Sequence, residues 1–120
     1  MIEIIPTGDN SRVLGLHIRG PIDETDISVV AEVMERKLKQ TPGRLRIFAE
    51  IGGGLEISPK ALLEDLRVSV KHFGDVEREA IVSDEGWLGP LAELGDLLPG
   101  IEVRHFTPAE RDQALAWING

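Results

Sequence analysis

The run Leu45–Gly54, LRIFAEIGGG, constrains this chain more than any other stretch. Leu45, Ile47, Ala49 and Ile51 alternate with Arg46, Phe48 and Glu50, which is the period of a strand. One face is wholly apolar and the other carries Phe48, so both faces want cover, as in a central strand. The run stops at Gly52-Gly53-Gly54. Ser58-Pro59 follows, a cap with proline at the first helical position. A strand therefore feeds a loop, and the loop feeds a helix N-terminus. In α/β proteins ligands and partners sit at such junctions.

The flanking sequence repeats the scheme. Met1–Ile5 and Val13–Arg19 read as strands joined by the turn cluster Thr7–Ser11, an antiparallel hairpin. Asp23-Glu24-Thr25-Asp26 caps a helix whose inner face is Ile27, Val30, Ala31, Met34 and Leu38. That helix ends near Gln40–Gly43. Beyond the glycines, Leu62, Leu66, Val70 and Phe73 form a second helical stripe, stopped at Gly74. Glu79–Ser83 reads as a strand. A third helix lies within Trp87–Leu98, with Leu91 on its inner face, and Pro99-Gly100 stops it. Ile101–Phe106 is the last strand. Thr107-Pro108-Ala109-Glu110 is a capping box for a final helix with Ala114, Trp117 and Ile118 inward.

The order ββαβαβαβα predicts an α/β domain spanning 1–120. It has a mostly parallel five-stranded sheet, an antiparallel N-terminal strand and four helices. At 120 residues, roughly two-thirds of the unfolded surface is buried on folding, enough for a core without staples.

Composition narrows the function classes. The net charge of −8 disfavours nucleic acid and anionic membrane surfaces, both of which need a basic stripe. The run Glu35–Lys39 is explained as cations at a helix C-terminus. The absence of cysteine removes disulfides and thiolate sites. No apolar run reaches membrane-spanning length, and the N-terminus does not read as a signal peptide. A cytoplasmic location is the expectation.

Chemistry-bearing motifs are sparse. The glycine run lacks the lysine and hydroxyl of a phosphate loop and the spacing of a dinucleotide fingerprint. It reads as a pliable turn or a mobile lid. The three histidines have no metal-ligand spacing, and no serine lies in a nucleophile elbow. Asp84 and Glu85 leave a strand together and could face Glu50. Trp87 stands at the ligand edge ahead of a leucine-rich helix, with more apolar surface than one buried stripe requires.

Several stretches in order, Asp65-Leu66 through Lys71-His72-Phe73, Ala80-Ile81-Val82 with Trp87, Glu102–Phe106 and Ala114–Ile118, resemble the SpoIIAA-like proteins. These are relatives of the STAS domain of anti-sigma-factor antagonists. The resemblance runs over nearly the whole chain. It implies a STAS-type α/β sandwich, comparable to the CRAL-TRIO lipid-binding fold. Anti-sigma antagonists carry a phosphorylatable serine in an Asp-Ser-Ser-Gly type motif after the third strand. Here that place reads Glu50-Ile51-Gly52-Gly53-Gly54, without a hydroxyl, and Ser58 comes later. The SpoIIAA-like branch is linked with small apolar ligands or lipid and with membrane association.

The leading expectation is thus a non-enzymatic binding module for a lipid or small apolar ligand, touching membranes peripherally. Gly52, Gly53, Gly54, Phe73, Trp87 and Leu91 would form its ligand site. The alternative is a regulatory protein-interaction domain with Glu50 and Ser58 at the partner edge. A small enzyme using Glu50, Asp84 or His105 is the third reading. No cofactor, metal or catalytic residue is expected, and an uncovered edge strand leaves room for a homodimer.

Overall fold

The computed structural model describes residues 1–53, 73–84 and 100–120. Five strands, β1 (Ile2–Ile5), β2 (Val13–Ile18), β3 (Leu45–Ile51), β4 (Val76–Val82) and β5 (Glu102–Phe106), form one sheet in the order β1-β2-β3-β4-β5. β1 pairs antiparallel with β2, and all the later pairs are parallel. The mixed sheet expected from the sequence is therefore present.

Two α-helices are described, α1 (Glu24–Gln40) and α2 (Arg111–Asn119). The helices expected over 58–73 and within 87–98 lie outside the described residues, except that Phe73 opens a short 3-10 turn, Phe73–Asp75. Gly74 stands in that turn without a positive φ; Gly43 and Gly100, past the ends of two expected elements, do have one.

β3 is central, and its alternation sorts the core. Leu45, Ile47 and Ala49 face α1, packing with Leu14, Leu16, Ile18, Val30, Met34 and Ile81. Phe48 faces α2, with Val13, Ala80, Val82, Phe106, Ala114 and Ile118. Phe48 is fully buried, as expected of a strand covered on both faces.

The start of α1 follows its sequence. Asp23 is the N-cap and accepts from the Asp26 N–H at 3.0 Å, while Asp26 accepts from the Asp23 N–H at 3.1 Å. This reciprocal pairing satisfies two orphan donors. The other oxygen of Asp26 accepts from the Ile2 N–H at 3.2 Å, which ties α1 to β1. These hydrogen bonds, the one from Asp23 foremost, hold the Asp26 carboxyl below its usual range.

β4 starts at Val76, earlier than the sequence pattern indicated. Glu77 and Arg78 hide the start of the strand because they are charged. Each occupies a strand position, and the register shifts opposite Leu45 and Arg46.

α2 is fastened from beneath by two arginines. Buried Arg46 donates from Nη1 to the Ile118 carbonyl at 3.0 Å and to the Gly120 carbonyl, and from Nε to Glu77 at 2.9 Å. Arg78 donates to the Trp117 carbonyl at 3.3 Å. Together they satisfy carbonyls that a helix end leaves without intrahelical partners.

Candidate functional site

Because β2 to β5 run parallel, their C-terminal ends, Ile18, Ile51, Val82 and Phe106, gather on one edge of the sheet. The chain leaves that edge through residues 19–22, 52–53, 83–84 and 107–110. Glu50 is the last residue of β3 directed to the α2 face. Its Oε2 accepts from Arg111 Nε at 3.0 Å. Arg111 opens α2, and its guanidinium lies 5.5 Å from the centre of the Phe48 ring, a cation–π contact.

The position of Arg111 is fixed by the turn before it. The Thr107 N–H donates to the Glu110 carboxylate at 2.9 Å, and the Glu110 N–H to the Thr107 carbonyl at 2.9 Å. The first of these bonds draws the Glu110 carboxyl below its usual range. The expected capping motif therefore forms as a 3-10 turn, Pro108–Glu110, that hands the chain to α2.

Across the strands Glu50 pairs in register with His17, and His17 with Glu3. Glu3 accepts from Arg19 at 2.8 Å. Two ion pairs, Glu3–Arg19 and Glu50–Arg111, thus flank His17 on one face of the edge. Both are partly exposed, so each contributes at most about 1 kcal/mol to stability. Their effect is to fix a pattern of charge.

The glycine run is anchored where it is described. The Gly52 N–H donates to the Ile18 carbonyl at 2.7 Å, and the Gly20 N–H to the Gly53 carbonyl at 3.3 Å. A Cβ at Gly52 would lie 3.3 Å from Arg19 Cβ and 3.4 Å from His17 Nε2, so the residue is small to let two chain segments approach. Gly53 has nothing within 4 Å of a built Cβ and is exposed.

The opposite face of the edge is occupied differently. His105 Nε2 lies 3.0 Å from the Ser83 carbonyl, the Ser83 hydroxyl and the Asp84 carbonyl. Carbonyls only accept, so this nitrogen carries the proton and donates. His105 ties β5 to the exit of β4. It pairs in register with Ile81 of the α1-face core, whereas Glu50 follows Phe48 on the α2 face. Glu50 and His105 therefore do not converge on one substrate.

Glu79 is the unexpected buried acid. It sits between Ile47 and Val103 in register, 5 % exposed, and its Oε2 has no hydrogen-bond partner among the described residues. Burial raises its carboxyl to about 7.

The structure brings Glu50, Gly52 and Gly53 together at the edge. Gly54, Ser58, Trp87 and Leu91 lie outside the described residues, as does the Phe73 side chain. Sequence reasoning missed Arg111. Its signal was available: the capping motif places a helix start at the edge where Glu50 ends its strand. Among the described residues no three of His, Asp and Glu converge as a metal site.

A SpoIIAA-like family model matches residues 13–119, which takes in β2 through α2. The chain belongs to the SpoIIAA-like family. No curated protein and no solved structure matches it. In this SpoIIAA-like chain the match covers Glu50, Gly52, Gly53 and Arg111, so the edge is part of the family domain.

Proposed function

We propose that this SpoIIAA-like chain is a regulatory protein-interaction domain of the anti-sigma-factor-antagonist type. Its partner docks on the edge formed by the C-terminal ends of the parallel strands. The observation that carries this reading is the Glu50–Arg111 ion pair at 3.0 Å, held beside exposed Gly53. A fixed pair of opposite charges next to an open backbone suits recognition of a folded protein, where complementary charge sets register and partner choice. Family membership supports the same class of function.

The segment Glu50–Gly54 holds no hydroxyl, so a phosphoserine switch within it is ruled out by its chemistry. Ser58 is the nearest downstream hydroxyl and the residue at which a kinase would act. The apolar-ligand reading depends on Phe73, Trp87 and Leu91, whose side chains lie outside the described residues, and no described contact favours it. Among the described residues, no helix is long and apolar enough to cross a membrane.

A photo-crosslinking amino acid placed at Gly53, in cells of the source organism, tests the proposal. Asp9, an exposed residue in the loop that enters β2, is the control. A discrete protein adduct from Gly53, absent from Asp9 and lost on Arg111→Glu, is the expected result. Equal adducts from both positions, or none from Gly53, would overturn it.

A further inference from the structure

A second surface lies on the α1 side of the sheet, away from the Glu50 edge. A cavity of about 260 Å³ opens between α1 and the β1–β2 hairpin, lined by Ile4, Leu14, Val33, Arg36, Lys37 and Gln40. Its floor is apolar, and Ile4 is 48 % exposed. Its rim carries two cations.

Arg36 stands out among the arginines. Every other arginine among the described residues is engaged by a carboxylate, a carbonyl oxygen or the Trp117 ring. Arg36 and Lys37 make no such contact among the described residues. The helix dipole accounts for cations in the last turn of α1. It does not account for an apolar hollow beneath them.

Part of the backbone beside the cavity is also unused among the described residues. Met1 and Arg19 exchange hydrogen bonds in both directions, so Met1, Glu3 and Ile5 point their polar groups at β2. By the alternation of an antiparallel ladder, Ile2 and Ile4 point theirs outward. Asp26 takes the Ile2 N–H. Pro6 has no N–H to offer. What is left is a narrow window, the N–H and carbonyl of Ile4 with the carbonyl of Ile2. It admits a short strand and blocks open-ended pairing.

We propose that this groove receives an extended segment of a protein partner, with an apolar and an acidic residue two positions apart. Residues two apart in an extended chain share a face. The segment pairs with Ile4, its apolar side chain fills the hollow over Leu14 and Val33, and its carboxylate meets Arg36 and Lys37. This is strand addition, in which backbone bonds give affinity and side-chain pockets give selectivity. The partner must be locally acidic, since a net charge of −8 offers few other places where a carboxylate is welcome. The proposal is independent of the function assigned to the Glu50 edge.

The test is a titration of the isotope-labelled full chain with the capped peptide Ser-Asp-Thr-Leu-Thr-Asp-Ser, followed by amide NMR shifts. Saturable shifts centred on Ile4, Val33 and Lys37, with a dissociation constant below about 1 mM, are expected. Replacing both aspartates of the peptide by lysine is expected to weaken binding at least tenfold. The double variant Arg36→Glu, Lys37→Glu reverses that preference while its spectrum elsewhere stays unchanged. Absence of saturable shifts, equal binding of both peptides, or shifts centred on Glu50 and Gly53 would each overturn the proposal.

Discussion

Arg111 donates to Glu50 across 61 residues of sequence, at 3.0 Å, while its guanidinium rests over the Phe48 ring. One side chain thereby connects the central strand, the start of α2 and the proposed docking edge. Arg111→Met removes the charge and keeps most of the apolar stem. The account predicts a stability loss of at most about 1 kcal/mol, because the pair is partly exposed. Partner affinity is expected to fall at least tenfold, as for other fixed charges at interfaces. Urea denaturation and a binding isotherm on the same sample separate the two effects.

Arg46 presents the opposite balance. It is 7 % exposed and serves two helix-end carbonyls and Glu77 at once. Arg46→Met is expected to lower unfolding free energy by about 2–4 kcal/mol, since it leaves the buried Ile118 carbonyl and two part-buried acceptors unserved. Arg12→Met removes only the more exposed ion pair to Glu77 and is expected to cost about 1 kcal/mol or less. Urea midpoints compared at equal m-values check both.

Glu79 predicts a pH signature. Its folded-state carboxyl, raised to about 7, keeps a proton that the unfolded chain has already released. Its stabilising contribution is whole below the ordinary carboxylate range and is lost as pH rises towards about 7. Glu79→Gln should abolish that part of the pH dependence, and the variant should gain on the parent between pH 5 and 8. Thermal midpoints of both proteins across that range supply the comparison.

At the start of α1, Asp26 should matter more than Asp23. Asp23 receives one backbone bond, whereas Asp26 receives two, one of them from β1. Asp23→Ala is expected to cost about 1 kcal/mol, and Asp26→Ala more. The depressed Asp26 carboxyl also means that this contribution is present above its ordinary value and lost as pH falls through the folded one. Chemical denaturation of the two variants at neutral and acid pH measures both statements.

The sheet was legible because its central strand alternates without interruption from Leu45 to Ile51 and its turns carry strong punctuation. The two faces of β3 could be assigned from Phe48 alone. The start of β4 was hidden because Glu77 and Arg78 look like a solvated stretch until Arg46 and Trp117 are placed against them. At the candidate site Glu50, Gly52 and Gly53 could be nominated from the strand-to-loop junction. For Arg111 the capping motif signalled a helix start at the same edge, but its pairing with Glu50 follows from the parallel order of strands rather than from local pattern. Gly52 read as pliable, yet it is hydrogen-bonded to Ile18 and spatially confined by Arg19 and His17.

The central claim is that a protein docks at the C-terminal edge of the parallel strands. Hydrogen–deuterium exchange of the chain, alone and saturated with the partner captured at Gly53, tests it most directly. The account predicts added protection over residues 50–53 and 107–111, with residues 8–12 at the opposite edge unchanged. Protection confined to residues 8–12, with none at 50–53, would contradict it.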